Sequence, residues 1–233
     1  MSKKSLLTVL FPGCCLLCGL GSSSHRDMCP GCADSLVRND ICCPICAEPM
    51  SSAHICGRCL AEPPVFRHSL APLLYAPPTS NLLLRFKNRA DLACGRALLQ
   101  TLLTAIEQHY ANASLPDALV PVPLHWRKRW QRGFNQSRWL AKRLAAELEL
   151  PVLTNRVIRN RATTSQQSLS RKQRRKNLHN CFTVKKPLKE MTLAIVDDVM
   201  TTGSTTNELA KSLLAAGASQ VDVWCLARTP VEK

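Results

Sequence analysis

The sequence is short of acids, aromatics and long apolar runs. Only 16 Asp and Glu stand against 31 Lys and Arg, and the rings amount to 4 Trp, 2 Tyr and 5 Phe in 233 residues. The apolar run closest to a membrane span, Leu6 to Leu20, is broken by Pro12 and Gly13. It falls short of the ~20 residues a bilayer needs. With Lys3 and Lys4 ahead of it and Cys14 inside it, this run has the outline of a lipidated signal peptide. The interruption argues against that reading, so no membrane insertion is expected. What is plentiful points to a folded chain: 45% of the residues are apolar, and the length suits one ordinary domain plus a small module.

Cysteine is also plentiful. There are 13, and ten of them lie in the first 59 positions. An odd number cannot pair off completely as disulfides, and Cys-x-x-Cys spacing holds two sulfurs around one metal more readily than it joins distant segments. A reducing cytoplasm is the expected compartment. Cys15, Cys18, Cys29 and Cys32 recur as Cys43, Cys46, Cys56 and Cys59, four pairs in tandem. Each pair offers two thiolates from one turn, and two turns complete a closed tetrahedral Zn2+ site with no open position for chemistry. Sequential pairing gives two stacked ribbons and alternate pairing a cross-braced module. Sequential pairing is favoured because each repeat then closes locally. Cys14 and Cys42 look spare, and Cys94, Cys181 and Cys225 read as small buried hydrophobes.

The net charge of +15 is concentrated in one region. From His125 to Lys176 there are 15 Lys or Arg against Glu147 and Glu149. The start of this stretch interleaves Trp126, Trp130, Phe134 and Trp139 with Arg127, Lys128, Arg129, Arg132 and Arg138. Cations that neutralise phosphates beside rings that stack on bases suit single-stranded nucleic acid. A solvated basic face whose aromatics pack inward is the alternative.

The prolines of Ala61 to Phe66 suggest a linker, dividing the chain into a module at 1–62 and a domain at 63–233. Past it, apolar runs at Ser69–Tyr75, Ala118–Val122, Val152–Ile158, Leu193–Val196 and Val221–Ala227 predict strands. Helical patterns at about 81–87, 92–110, 136–148 and 204–216 separate them. Such alternation predicts an α/β fold, a parallel sheet covered by helices on both faces.

The segment LAIVDDVMTTGSTT at 193–206 carries the most chemistry. A buried strand leads to Asp197 and Asp198, then to Thr201, Thr202, Gly203, Ser204 and Thr205 at the head of a helix. Gly203 allows a close turn, and hydroxyls, amides and the helix N-terminus can hold a phosphate without any Lys. The two acids can accept from adjacent sugar hydroxyls, which suits a ribose 5-phosphate. In a bland reading the Thr and Ser side chains only cap the helix.

VDDVMTTGST resembles the phosphoribosyl pyrophosphate (PRPP) signature of the type I phosphoribosyltransferase fold. VPVPLHWRKRWQRGFNQS at 120–137, the spaced string from Thr163 to Phe182 and the four Cys pairs extend the likeness to the ComF family. Within it the chain is most similar to the GntX type, the DNA utilization proteins of Gram-negative bacteria.

The resemblance implies a double zinc ribbon joined to a phosphoribosyltransferase-like domain, acting in natural transformation or in the use of external DNA as a nutrient. It implies that Asp197 and Asp198 bind the ribose hydroxyls and that Thr201 to Thr205 bind the 5-phosphate. It places pyrophosphate contacts between Pro121 and Gly133, where Arg127, Lys128, Arg129 and Arg132 could also meet nucleic acid. It makes Arg161 to Arg175 a mobile loop over the site, with Gln166, Arg174 and Asn177 as its candidate site residues. Mg2+ would arrive with PRPP, since no carboxylate cluster is available to hold it. The resemblance and the charge together leave two functions: a cytoplasmic binder of PRPP and single-stranded DNA that serves DNA-processing proteins, which the charge asymmetry favours, or a transferase moving phosphoribose to an acceptor.

Overall fold

A computed structural model describes residues 13–22, 27–124, 133–160 and 181–231. The N-terminal module has little regular structure. Strand β1 (Gly13–Cys14) pairs antiparallel with β2 (Gly21–Ser22), and the one-turn helices α1 (Pro30–Asp34) and α2 (Gly57–Ala61) start directly after Cys29 and Cys56. The first pair of each repeat sits in a tight knuckle. Gly19 N–H donates to Cys15 O and Ala47 N–H to Cys43 O, both at 2.9 Å. Gly19 (φ 73°) and Ala47 (φ 52°) occupy equivalent places, each just past the second cysteine of its pair.

The domain that follows contains β3 (Ser69–Leu70), β4 (Leu73–Leu74), α3 (Thr79–Arg89), α4 (Leu92–His109), β5 (Ala118–Pro121), α5 (Gln136–Leu148), β6 (Val157–Arg159), β7 (Phe182–Val184), β8 (Thr192–Met200), α6 (Ser204–Ala215) and β9 (Gln220–Arg228). Strands β5, β8 and β9 lie side by side, β3 and β4 both pair with the free edge of β9, and every pairing is parallel. Both sheet faces are buried, as the continuous apolar runs require. Ala194, Val196, Trp224 and Leu226 point into a core shared with α3, α4 and α5. Leu193, Ile195, Val221 and Val223 point into a core shared with Leu209, Ala210 and Leu213 of α6.

Three expectations change in detail. Ser69–Tyr75 is two short strands, because Pro72 lacks the N–H a continuous ladder needs and its carbonyl accepts from Asn39 N–H at 2.9 Å. Val152–Ile158 does not form one parallel strand: only Val152 bridges Leu119, a turn intervenes, and β6 pairs antiparallel with β7. Strand β8 extends past Val196 to Met200, which puts both acids within it.

The segment between module and domain is pinned. Val65 N–H donates to Asn207 Oδ1 at 2.8 Å and Phe66 is buried. The module rests on both sides of the sheet: Met28 and Leu36 join the core of α3 and α4, while Ala47 joins the core of α6. Buried Asn39 ties the two parts together by donating to the carbonyls of Ala47 and Ala71 at 2.9 and 3.0 Å. At the start of β9, the fully buried Asp222 takes two hydrogen bonds from Arg67 and one from Tyr110, closing the end of the sheet opposite Asp197 and Asp198.

Candidate functional site

The carboxyl end of β8 leads into Thr201 to Gly203 and then into α6. Gly203 has φ 75°, a left-handed conformation that L side chains disfavour, and it occupies the N-cap position with no side-chain cap bond. Three hydroxyls around this turn are engaged locally. Thr202 Oγ1 and Ser204 Oγ share a 2.8 Å hydrogen bond, and Thr206 Oγ1 donates to Gly203 O at 2.9 Å. The first-turn amides of a helix have no partner within it, so this turn presents N–H groups and hydroxyls together.

The two acids are held differently. Asp198 Oδ2 pairs with Lys87 Nζ of α3 at 3.0 Å, and its Oδ1 accepts from Val199 N–H at 2.8 Å. Asp197 Oδ1 accepts from Ser137 Oγ at 2.8 Å and from Asp198 N–H at 2.9 Å. Burial pushes the Asp197 carboxyl up to about 7 and the neighbouring Asp198 charge adds to this, against the Ser137 hydroxyl, the Asp198 amide and Lys87. A carboxyl poised near neutrality beside a carboxylate–ammonium pair can accept hydroxyl protons in hydrogen bonds or take up a proton itself.

The string RGFNQS acquires a local account from Phe134 onward. Asn135 caps α5, its Oδ1 accepting from Arg138 N–H at 3.1 Å and its Nδ2 donating to Val122 O at 3.1 Å. Buried Gln136 donates to Lys87 O at 2.9 Å, and Ser137 reaches Asp197. Phe134 and Trp139 pack edge-on against buried Phe86, with centroids 5.6 and 5.3 Å apart. These two half-buried rings each set one edge against the core and leave the rest toward the neighbouring cleft. The motif fixes the backbone and side chain that support both acids. Neither Lys87 nor the partnership of Ser137 stands out in the sequence. The signal for Ser137 was its place in the motif, and Lys87 had none beyond its place on a helix.

Arg228 likewise carries no mark in the sequence. It is fully buried, and its guanidinium donates to Cys46 O at 3.0 Å and to Met200 O at 3.1 Å, faces the carbonyls of Thr201 and Thr229, and pairs with Glu48.

The cysteines form two clusters, Cys15–Cys18–Cys29–Cys32 and Cys43–Cys46–Cys56–Cys59, each with its sulfurs within 4.8 Å of one another. This is the sequential pairing. Four convergent sulfurs at this spacing fit a tetrahedral Zn2+ with sulfur ligands. The amides of Cys18 and Cys29 hold the Cys15 thiol down to about 6. Burial raises Cys43, but the amides of Cys56, Cys46 and Ile45 outweigh it and hold that thiol at about 7. Each site thus contains a thiol readily converted to the thiolate a metal needs. Cys94, Cys181 and Cys225 are buried.

Arg127, Lys128, Arg129 and Arg132, with the pyrophosphate contacts expected there, lie outside the described residues, as do Gln166, Arg174 and Asn177. Beside their flanks an open cleft of about 590 Å³ is lined by Phe134, Arg138, Trp139, Lys142, Arg159 and Lys185, among others. Among the described residues no helix is long and apolar enough to cross a membrane.

Sheet, loop and cysteine clusters together define a class: a phosphoribosyltransferase-like α/β domain carrying a docked pair of zinc ribbons. The double zinc ribbon domain family matches residues 6–60, and the phosphoribosyl transferase domain family matches residues 135–233. Over 230 residues, 96% of this chain and 100% of the relative, the sequence is 41% identical to the DNA utilization protein YhgH of Salmonella typhimurium. It is 40% identical over 159 residues to competence protein F of Haemophilus influenzae, covering 66% of this chain and 69% of that protein. A more distant relative, competence protein ComFC of Bacillus subtilis, is 30% identical over 149 residues, covering 63% and 58%. The chain belongs to the ComF family of DNA utilization and competence proteins.

Proposed function

We propose that this chain is a cytoplasmic DNA-handling protein that binds PRPP at the end of β8 and single-stranded DNA along its basic face. The observation that carries the first half is the joining of two supported acids to the turn at Gly203. Asp198 is paired with Lys87, Asp197 is held by Ser137, and the loop at the head of α6 lies a few residues on. In this reading Asp197 and Asp198 accept from the ribose hydroxyls, and Thr201, Thr202, Gly203, Ser204 and Thr205 surround the 5-phosphate. The Lys87 ammonium keeps Asp198 from adding a full negative charge beside a polyanion. Mg2+ enters with PRPP on the pyrophosphate oxygens.

Support for DNA as partner comes from the relatives' names, which refer to DNA utilization and competence, and from the surplus of cations at 125–176. Arg138, Lys142 and Lys185 extend that charge into the described cleft. The zinc-loaded protein is to be titrated calorimetrically with PRPP and Mg2+, with and without single-stranded DNA, while pyrophosphate release is assayed. Binding without release is the expected result. Release only in the presence of an acceptor would make the protein a phosphoribosyltransferase, and absence of binding would remove the PRPP site. Replacing Asp197 and Asp198 by Asn should weaken PRPP binding and preserve the fold. Reversing the charges of Arg127, Lys128 and Arg129 should weaken DNA binding most at low salt.

A further inference from the structure

The loop after β8 and the second cysteine site are more than 140 residues apart in the sequence, yet one side chain touches both. Arg228, the last residue of β9, has 0% of its surface exposed. Its Nε donates to the carbonyl of Cys46, a residue of the second cysteine cluster, at 3.0 Å. Its Nη1 donates to Met200 O at 3.1 Å and lies against Thr201 O, where β8 passes into the loop. Its Nη2 pairs with the Glu48 carboxylate, which also accepts from Val231 N–H at 2.8 Å and faces Arg58 at 4.0 Å. Glu48 is itself part of the knuckle, since its carbonyl accepts from Cys43 N–H at 2.8 Å.

A guanidinium is a rigid planar fork of donors, so groups bonded to its separate arms are held in one arrangement. A buried charge tolerates the loss of partners poorly. If the Cys43–Cys46 knuckle opens, both the Cys46 carbonyl and Glu48 move away, and the same cation can no longer hold the Thr201 carbonyl in place, while Met200 O keeps its bond from Thr229 N–H at 2.9 Å.

We propose that Arg228 is a positioning residue that couples metal occupancy of the second cysteine site to the shape of the Thr201–Thr205 loop. The second site thereby tunes anion binding, and the first does not. This rests on the reading of the loop as a 5-phosphate site, but the coupling itself is measurable without a ligand. By reciprocity, an anion in the loop raises the affinity of the second site for its metal. The first cluster is tied elsewhere, through Arg85 to Leu16 O and Arg96 to Asp27.

The test uses the full-length zinc-loaded protein and a chromophoric chelator. Alkylation of freed cysteines assigns each phase of release to a site, and amide hydrogen exchange reports on residues 199–203. Release should be biphasic, with exchange at 199–203 rising only as the second site empties. Saturating ribose 5-phosphate should raise the chelator concentration that half-empties the second site at equilibrium about tenfold and leave that for the first unchanged. Arg228→Lys keeps the charge and loses the fork. It should speed release from the second site and weaken ribose 5-phosphate binding, each about tenfold.

Exchange at 199–203 that ignores the second site, or that rises when the first empties, overturns the proposal. If ribose 5-phosphate fails to bind but exchange follows the second site, the coupling stands and the reading of the loop falls. If it binds while exchange and release stay independent, the coupling falls and the loop reading stands. Should Arg228→Lys fail to fold, the wild-type measurements decide.

Discussion

The two four-cysteine sites share a spacing and a knuckle but differ in what surrounds them. In the first, Cys15 is buried, Cys29 and Cys32 are half-buried, and Cys18 is exposed; in the second, all four cysteines are buried. The first docks on α3 and α4 through Met28, Leu36 and an Asp27–Arg96 pair whose arginine side chain is 51% exposed. The second is closed over by the domain, with Arg228 on one carbonyl and Ser69 Oγ donating to Ile45 O at 2.8 Å. A repeated ligand motif therefore does not imply a repeated role. Burial and partners decide what loss of the metal does to the rest of the molecule.

The largest effect should follow from breaking the second site. Apparent zinc binding by small structural sites is worth about 10–16 kcal/mol near neutral pH, and here the same residues also close around a buried guanidinium. Cys46→Ser should cost several kcal/mol in urea unfolding of the zinc-loaded protein, on the order of a large part of a domain's whole stability. Cys18→Ser should cost distinctly less, with the α/β domain still unfolding cooperatively. Equal losses would mean that the difference in burial has no energetic consequence.

A second contrast comes from pH. Asp197 ordinarily titrates near 3.8 and is raised to about 7 in the fold, first by burial and then by the Asp198 charge. Between these values the folded chain holds a proton that the unfolded chain does not. Its contribution to stability is therefore fully present below about 4 and is lost as pH rises through about 7. Asp197→Asn should flatten this part of the stability–pH curve. Ser137→Ala removes a donor to the charged form, so it should move the upper limit to higher pH. Zinc release from either site over the same range should be unaffected by Asp197→Asn, which separates the acid pair from the cysteines.

Much of this was legible in the sequence for definite reasons. Buried parallel strands are continuous apolar runs, so β5, β8 and β9 stand out, and the helical pattern at 136–148 matches the observed limits of α5. Cysteine spacing carried the metal sites, because two ligands from one turn need that spacing. The turn at Gly203 carried the loop. What failed to show was tertiary. Arg228 is one arginine among many until β9 brings it under the loop, and Lys87 is one basic residue on α3 until the helix lies beside Asp198. The end of β8 was misplaced because acids ordinarily mark a strand's exit to solvent, whereas Ser137 and Lys87 reach these two from other elements. The pairing of β6 with β7 joins segments on either side of 161–180 and depends on nothing local.

Helix α4 offers two smaller tests. Gly95 lies in α4 where a Cβ would come within 2.7 and 2.9 Å of Phe86 ring carbons and 2.9 Å of Trp139 Cζ3. Nothing in the helical pattern marks it, yet it sets the approach of α4 to the aromatic cluster that carries α5. Gly95→Ala gains helix propensity of about 1 kcal/mol and must displace two packed rings, so a net loss of about 1–3 kcal/mol is expected in thermal unfolding. Arg96→Ala lies one residue further along the same helix and removes the docking pair with Asp27. Because that pair is half exposed, its removal should cost less than about 1 kcal/mol of global stability. It should still speed metal release from the first site, with the second site unchanged. If Arg96→Ala loosens both sites equally, the module moves as one unit on the domain, and the separate attachment of its two halves is not what sets their behaviour.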